Sequence, residues 1–271
     1  MLRMLYIPEI SASKVAALIG LNAYQAPHEV MYELLTKHAP ANAQMKHIEE
    51  NESRISMNKL KNIVLATPAI KSIVFQGVQS CEGKTDITET LNDIEAKARV
   101  VIDLRHSDIA RDVRSILVSE VRGAVQKNRG LRNEDAILNA YEVEQKVEVK
   151  ERNTKTFRKV YSSYKLVGRT DGYVKEHNRI VDSKARTKWR EEVPIYDEIQ
   201  LRVYMELSGA TESELVESFP DGRTRNTKFT NDADKWSSIN TALLQATTKI
   251  NTAIEDPVVL REIVFANTVG V

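Results

Sequence analysis

Cysteine, aromatic residues and long apolar runs are all scarce in this chain of 271 residues. With Cys81 as its single cysteine, the chain cannot form an internal disulfide or anchor an iron–sulfur cluster, and this usage fits a reducing compartment. The five histidines are scattered without paired zinc-ligand spacing. No uncharged apolar run is long enough to span a bilayer, and the first nine residues lack the pattern of a signal peptide. We therefore expect an intracellular protein that is not secreted and has no membrane partner.

Charge is balanced overall but unevenly distributed. The chain has 39 Lys and Arg against 38 Asp and Glu, a net charge of +1. Residues 122–190 contain 18 of the basic and 9 of the acidic residues, a balance of +9, which leaves 21 against 29, or −8, elsewhere. This asymmetry indicates either one basic surface that attracts a polyanion or a solvated charged hairpin.

The spacing of apolar and turn residues predicts an α/β (mixed α+β) fold, a mixed sheet flanked by helices in a single domain over residues 1–271. Residues 39–128 are mostly charged and helix-like, with breaks near Thr67-Pro68 and Glu82-Gly83-Lys84, so a helical insertion or arch is expected there. Helices are predicted near residues 14–20, 27–37, 131–144 and 195–207, and a final long helix after residues 231–234. Strands are predicted at 147–149, 157–164, 165–175, 180–184, 213–219 and 225–229, the first two joined by a polar hairpin around 152–154.

Two carboxylates and a lysine stand at a spacing that indicates a metal site. Two strands joined by a tight turn should place Asp171 beside Asp182, and Lys184 lies two residues further on, so it shares a strand face with Asp182. Converging carboxylates form an oxygen-rich site that suits Mg²⁺. The lysine would position an attacking water or stabilise charge on a phosphate. Taken alone, an Asp-x-Lys tripeptide on a strand more often marks a solvated face.

Two helical side chains flank this stretch. Glu134 stands near the start of the helix predicted at 131–144, where it is either a further acidic residue of the site or an exposed first-turn glutamate favoured by the helix dipole. Gln200 lies one turn before Tyr204 on the same helical face. This glutamine is either part of the site or an exposed polar residue beside a partly buried tyrosine.

The ordered set of these segments resembles the lambda-exonuclease/YqaJ-type viral recombinase branch of the PD-(D/E)xK nuclease superfamily. The matching blocks are an N-terminal helical signature at 10–24, a glutamate-bearing helix at 130–141, Gly168-Arg-Thr-Asp171-Gly, Val181-Asp182-Ser-Lys184 and a Q-x-x-x-Y helix at 196–204. Thr170 stands where the name of the superfamily has proline, and Asp182 stands where glutamate is common. The resemblance implies a restriction-endonuclease-like core and a metal-dependent deoxyribonuclease that degrades linear double-stranded DNA from 5′ ends.

The resemblance also assigns roles to residues. Glu134, Asp171, Asp182 and the main-chain carbonyl of Ser183 would bind one or two Mg²⁺ or Mn²⁺ ions, and Lys184 would orient or deprotonate water. Gln200 would position Lys184 or the phosphate, and Tyr204 would support that helix and belong to the DNA-binding residues. The remaining predicted DNA contacts are Arg186, Lys188 and Arg190 on backbone phosphates, and Ser11, Ser13 and Lys14 in a 5′-phosphate pocket, where a plain helix cap is the alternative for the last three.

Several alternatives stay open at this stage. The same core could serve a structure-specific or single-strand endonuclease, or a catalytically silent DNA-binding scaffold. Residues 39–128 could form an arch over the site, an oligomer contact or a partner-binding module. Expected partners are DNA with a 5′-phosphorylated end, a single-strand annealing protein and further copies of the chain. The setting would be DNA recombination, repair or viral DNA processing, in the cytoplasm or in the nucleus of a host cell.

Overall fold

The computed structural model describes residues 5–84 and 86–270, which form ten α-helices and nine β-strands. Residues 1–4, part of the stretch that lacks a signal-peptide pattern, lie outside the described residues. The helices are α1 (Ala12–Leu18), α2 (Pro27–Leu35), α3 (Ala39–Asn51), α4 (Met57–Ala66), α5 (Pro68–Ser80), α6 (Thr88–Arg105), α7 (Arg111–Gln145), α8 (Ile195–Ser208), α9 (Ala233–Glu255) and α10 (Pro257–Asn267). The strands are β1 (Glu9–Ser11), β2 (Arg54–Ser56), β3 (Thr156–Val160), β4 (Lys165–Arg169), β5 (Gly172–Val174), β6 (Arg179–Ala185), β7 (Glu212–Ser218), β8 (Thr224–Thr230) and β9 (Thr268–Gly270).

A four-stranded mixed sheet in the order β5-β6-β7-β8 forms the framework. Strands β6 and β7 are parallel, and α8 supplies the crossover that a parallel pair needs. Side chains alternate between the two faces of β6. Val181 packs with Leu138 and Tyr141 of α7, whereas Ile180 belongs to the main core together with Ile199 of α8. The sheet is therefore covered by α7 on one face and by α8 on the other.

A second sheet of three strands has β4 at its centre, with β1 parallel on one side and β3 antiparallel on the other. Only Thr170 and Asp171 separate the end of β4 from the start of β5. The chain thus passes from one sheet to the other at Asp171, which leaves this residue at an interruption in hydrogen-bonded pairing.

Helices α4, α5, α6 and the first half of α7 enclose a hydrophobic cluster of their own, with Leu60, Ile94 and Val121 among its buried members. Helix α3 instead contributes Ala41 and Met45 to the main core. We refer to residues 57–128 as the helical segment. Where this segment begins, β2 pairs antiparallel with β9. No helix in the described part of the chain combines the length and apolar character that crossing a membrane requires.

The mixed α/β fold is confirmed, and so are the breaks near Thr67-Pro68 and Glu82-Gly83-Lys84, because α4 and α5 end there. The predicted helix start near Gly130 is wrong, since this glycine lies inside α7. The predicted hairpin of 147–149 with 157–164 is also wrong. Strand β3 pairs with β4, and the described residues 147–149 form no strand. The residue after them, Lys150, makes an isolated bridge with Tyr173. The predicted strand 165–175 is divided into β4 and β5, and α10 follows the helix expected to be last.

Candidate active site

Asp171 and Asp182 lie side by side, as their spacing predicts. Strands β5 and β6 are antiparallel with Gly172 opposite Val181, so the preceding Asp171 comes level with Asp182. One carboxylate oxygen of Asp171, Oδ2, accepts hydrogen bonds from the backbone N (2.8 Å) and the hydroxyl Oγ (3.1 Å) of Ser183. Burial raises the pKa of Asp171, and the charge of Lys184 and the Ser183 donors only partly oppose this. The nearby charge of Glu134 raises this pKa further.

Lys184 shares a face of β6 with Asp182, and its Nζ lies 2.5 Å from Asp182 Oδ2. Burial raises the pKa of Asp182 to about 6, with the charge of Lys184 opposing this shift and that of Asp171 adding to it. Burial alone would lower the pKa of Lys184, but the carboxylates of Asp182, Asp171 and Asp197 raise it above its ordinary value. The lysine therefore stands as an ammonium group among three acids.

The second carboxylate oxygen of Asp182, Oδ1, is buried and has no hydrogen-bond partner among the described residues. A buried carboxylate oxygen without a donor is costly, and a cation would compensate for it. The donor set therefore fits a hard divalent ion, with carboxylates from Asp171 and Asp182 side by side. Among the described residues, no three acidic, histidine or cysteine side chains are grouped closely enough to hold an ion as they stand. The carboxylates of Asp171 and Glu134 instead accept hydrogen bonds from protein donors.

Glu134 reaches the site from the interior of α7, several turns from the start of the helix, so its interpretation as a first-turn residue is wrong. Its Oε1 accepts a hydrogen bond from the side-chain amide of Asn153, whose backbone N donates to the carbonyl oxygen of Asp171 (3.3 Å). Asn153 has a φ of 51°, in the left-handed region that asparagine tolerates better than most residues. Asn153 therefore joins the glutamate-bearing helix to Asp171 at the junction of β4 and β5.

Helix α8 carries Gln200 and Tyr204, one turn apart. The side-chain amide of Gln200 donates to the hydroxyl of Tyr204 at 2.7 Å. Tyr204 is buried, and burial together with the charge of Asp182 raises its pKa. The backbone of Gly168 lies against the ring of Tyr204, where a Cβ atom would come within 2.8 Å of the ring atom Cε1. That Gln200 positions Lys184 or a phosphate stays a prediction.

Arg186, which the resemblance places on DNA phosphates, lies inside an ion-pair network. Its Nη2 contacts Asp197 Oδ2 and its Nε contacts Glu217 Oε1, each at 2.7 Å, and its side chain is only 10% exposed. Glu217 also binds Arg225, whose Nη1 donates to the carbonyl oxygens of Arg190 and Glu191, both at 2.8 Å. This network fixes the loop after β6. The phosphate contact of Arg186 stays a prediction, and its two buried partners leave it less available than its exposed neighbour Lys188.

The three N-terminal candidates lie at the junction of β1 and α1. The hydroxyl oxygens of Ser11 and Ser13 are 3.4 Å apart, and Lys14 Nζ contacts both Gln25 Oε1 and Glu33 Oε1 at 3.1 Å. Ser11 occupies the N-cap position of α1, as the alternative of a plain cap expects, but among the described residues its side chain makes no cap hydrogen bond. Strand β1 runs parallel to β4, with Ser11 opposite Val167. The 5′-phosphate role of these residues stays a prediction.

Sequence reasoning missed Asp197, Glu217 and Asn153. Asp197 stands in the first turn of α8, where an acidic residue is expected from the helix dipole alone. Glu217 is fully buried although its place on a strand gives no sign of a partner. Strand β7 is buried on both faces, and it carries Glu214 on one face and Glu217 on the other. Glutamates within a buried strand need charged or hydrogen-bonding partners, and this is a signal that could have marked the network.

These elements build a mixed α/β fold that is shared with a solved exonuclease structure. The chain is similar to the crystal structure of an alkaline exonuclease, LHK-Exo, from Laribacter hongkongensis, with a TM-score of 0.51 at 12% identity over 91% of this chain and 90% of that one. It is also similar to a phage-related exonuclease from Haemophilus somnus 129PT, with a TM-score of 0.46 at 11% identity over 92% of this chain and 96% of that one. Neither a protein-family model nor a curated protein sequence matches this chain.

Proposed function

We propose that this chain is a metal-dependent deoxyribonuclease that degrades linear double-stranded DNA as an exonuclease, from 5′ ends. The observation that carries the proposal is the pairing of Asp171 with Asp182 beside Lys184, where one buried oxygen of Asp182 has no donor in the described part of the chain. A fold shared with a solved alkaline exonuclease supports the same conclusion.

Asp171, Asp182, Glu134 and the carbonyl oxygen of Ser183 would hold one or two Mg²⁺ or Mn²⁺ ions. A bound ion supplies Lewis-acid stabilisation of the charge that develops on the phosphate and the leaving oxygen. The ammonium group of Lys184 already donates to Asp182, so its remaining donor positions can orient a water molecule or a phosphate oxygen. Arg186 holds the following loop in place through Asp197 and Glu217. Lys188 and Arg190 on that loop would contact phosphates without reading sequence.

Two substitutions test the site directly. We expect Lys184→Ala and Asp182→Asn to reduce Mg²⁺-dependent degradation of 5′-phosphorylated linear duplex DNA by about 100-fold or more, the scale on which loss of one preorganised stabilising group acts. Lys249→Ala and Asp234→Asn, at exposed positions of α9, serve as matched controls. Full activity in either active-site variant would contradict the proposal. Cleavage that continues unchanged in EDTA would contradict the metal dependence.

Comparison of closed circular with linear duplex DNA distinguishes an exonuclease from an endonuclease. An exonuclease leaves closed circular duplex DNA intact, whereas an endonuclease on the same core cuts the circle. Release of label from a 5′-labelled end before a 3′-labelled end establishes the polarity. We place the activity in DNA recombination, repair or viral DNA processing, with a single-strand annealing protein and further copies of the chain as expected partners. DNA binding without cleavage under any divalent metal would instead favour the silent scaffold.

A further inference from the structure

A cleft of about 870 Å³ runs between the helical segment and the loop that follows β6. One wall is formed by α7 and the start of α6, and the other by residues 185–190 together with Tyr24. Ala185, the residue directly after Lys184 in the chain, is one of the residues that line the cleft. Its volume falls within the range of about 300–1,000 Å³ that is usual for pockets of small ligands. A few nucleotides of one strand match this scale better than a duplex does.

The charges that line the cleft are mostly positive. Lys61 and Arg122 on the helical segment are each paired with an acid, at 3.1 Å to Glu120 and at 3.3 Å to Glu95. On the opposite wall, no carboxylate of residues 5–84 and 86–270 forms an ion pair with Lys188. The same holds for Arg190, whose guanidinium donates to a tyrosine hydroxyl instead. The loop side of the cleft therefore offers two cations to an anionic ligand.

Tyr24 presents an exposed aromatic ring beside these cations. Its side chain is 70% exposed, yet it is held in place by several contacts. The hydroxyl accepts a hydrogen bond from Arg190 Nη2 at 3.0 Å, and the ring meets that of Tyr196 edge to face at a centroid distance of 5.8 Å. The backbone N of Tyr24 donates to Asn22 Oδ1 at 2.8 Å. Since the ring is fixed at its edge and at its hydroxyl, a face remains open to solvent.

Proteins bind single-stranded nucleic acid through exposed aromatic faces beside cations, with bases on the rings and phosphates on the cations. We propose that Tyr24, Lys188 and Arg190 form a binding site for a single DNA strand in this cleft. A base stacks on Tyr24, and the phosphates beside it contact Lys188 and Arg190. The helical segment forms the opposite wall. This inference rests on the proposed action on DNA. It adds that the DNA bound in the cleft is single-stranded.

Binding in EDTA tests the inference without requiring catalysis. The probe is a single-stranded oligodeoxynucleotide of about 12 residues, within the usual site sizes, that carries one 2-aminopurine base and a fluorescent end label. We expect Tyr24→Ala to weaken binding by roughly 5- to 140-fold, from about 1–3 kcal/mol per stacked base at about 1.4 kcal/mol per tenfold, and to abolish quenching of 2-aminopurine. Tyr24→Phe keeps the ring and should bind within a few-fold of the unchanged protein, with quenching retained.

Lys188→Ala should lower the slope of log affinity against log salt by about 0.7, the loss of one phosphate contact to a single strand. Phe75→Ala is the matched control, because Phe75 is an exposed aromatic residue at 56% on α5 and does not line the cleft. The inference is overturned if Tyr24→Ala binds as tightly as Phe75→Ala, or if Tyr24→Phe loses as much as Tyr24→Ala. Equal dependence of duplex binding on Tyr24 would also overturn it.

Different results would contradict the proposed nuclease function and the proposed single-strand site. A protein that binds single strands through Tyr24 but cleaves no DNA contradicts the nuclease function and leaves the strand site standing. A protein that cleaves DNA while Tyr24→Ala changes neither binding nor KM contradicts the strand site alone. Thermal unfolding of each variant shows that a loss of binding does not come from a loss of fold.

Discussion

Replacing Gly168 with alanine tests how closely α8 must approach the strand that leads into Asp171. A Cβ atom at this position would lie 2.8 Å from Tyr204 Cε1 and 2.9 Å from Leu207 Cδ1, both shorter than ordinary contacts between carbon atoms. Tyr204 cannot move aside freely, because it is buried and its hydroxyl accepts a hydrogen bond from Gln200. The added methyl group must therefore displace α8 or the strand itself.

The expected magnitude follows from two opposing effects. Overpacking a buried site by one methyl group costs about 1–3 kcal/mol. Replacing glycine restricts the unfolded chain and returns about 0.4–1 kcal/mol. We expect a net loss of roughly 0.5–2 kcal/mol in the free energy of unfolding, at about 2–4 °C of melting temperature per kcal/mol for a domain of this size. Nuclease activity should fall as well, since the displaced helix also carries Asp197 and Gln200.

Gly130→Ala provides a control in the same chain, because it should raise the free energy of unfolding where Gly168→Ala lowers it. Gly130 lies within α7, and a Cβ atom there would meet nothing within 4 Å. Alanine in a helix interior is favoured over glycine by about 0.5–1 kcal/mol, so this variant should be more stable than the unchanged protein. Urea unfolding of both variants gives the comparison. If Gly168→Ala proves as stable as Gly130→Ala, the close packing of Tyr204 against β4 is refuted.

Three further substitutions address the surroundings of the site. Asp197→Asn should cost about 1.5–3 kcal/mol of stability in urea unfolding, because it removes a charged partner of the buried Arg186, and an unchanged midpoint would argue against that network. Asn153→Ala should raise the Mg²⁺ concentration needed for half-maximal activity about 10-fold or more, since Asn153 orients Glu134. An unchanged Mg²⁺ requirement would contradict the role of Glu134 as a metal ligand. Burial raises the pKa of Glu198, but hydrogen bonds from two basic side chains outweigh it and lower the pKa below the ordinary 4.5. The stabilisation by ionised Glu198 is therefore present above pH 4.5 and is lost as pH falls through the lowered pKa. Glu198→Gln should therefore unfold at a lower urea concentration than the unchanged protein at pH 7, and the difference should vanish in strong acid.

The pairing of Asp171 with Asp182 and Lys184 could be predicted from sequence because it depends on local geometry. A tight turn joins two strands, and alternation along one strand fixes which side chains share a face. Helix α8 could be placed for a similar reason, since its apolar spacing and the glycine at its end are local signals, and it ends at Ser208 before Gly209 with a φ of 74°.

Features that depend on tertiary contacts could not be predicted in the same way. Gly130 costs a helix only about 1 kcal/mol, and the packing of α7 against the helical segment and the sheet outweighs this cost. The network of Arg186 joins residues 11 and 31 positions away, at Asp197 and Glu217. The hydrogen bond from Asn153 to Glu134 could not be predicted, because the sequence pattern places Asn153 in a hairpin that does not form.

Helix α7 has 35 residues, a rod of about 52 Å at 1.5 Å per residue. Its first half is built into the hydrophobic cluster of the helical segment, and its second half, which carries Glu134, is packed on the four-stranded sheet at Tyr141. The described helix runs from Arg111 to Gln145 without a break. A rotation of the helical segment that widens the cleft would therefore also move Glu134, because the first half of α7 belongs to that segment and Glu134 lies on the same helix. If the two proposals hold, entry of a DNA strand into the cleft and the position of Glu134 at the acidic site would be coupled through this one helix.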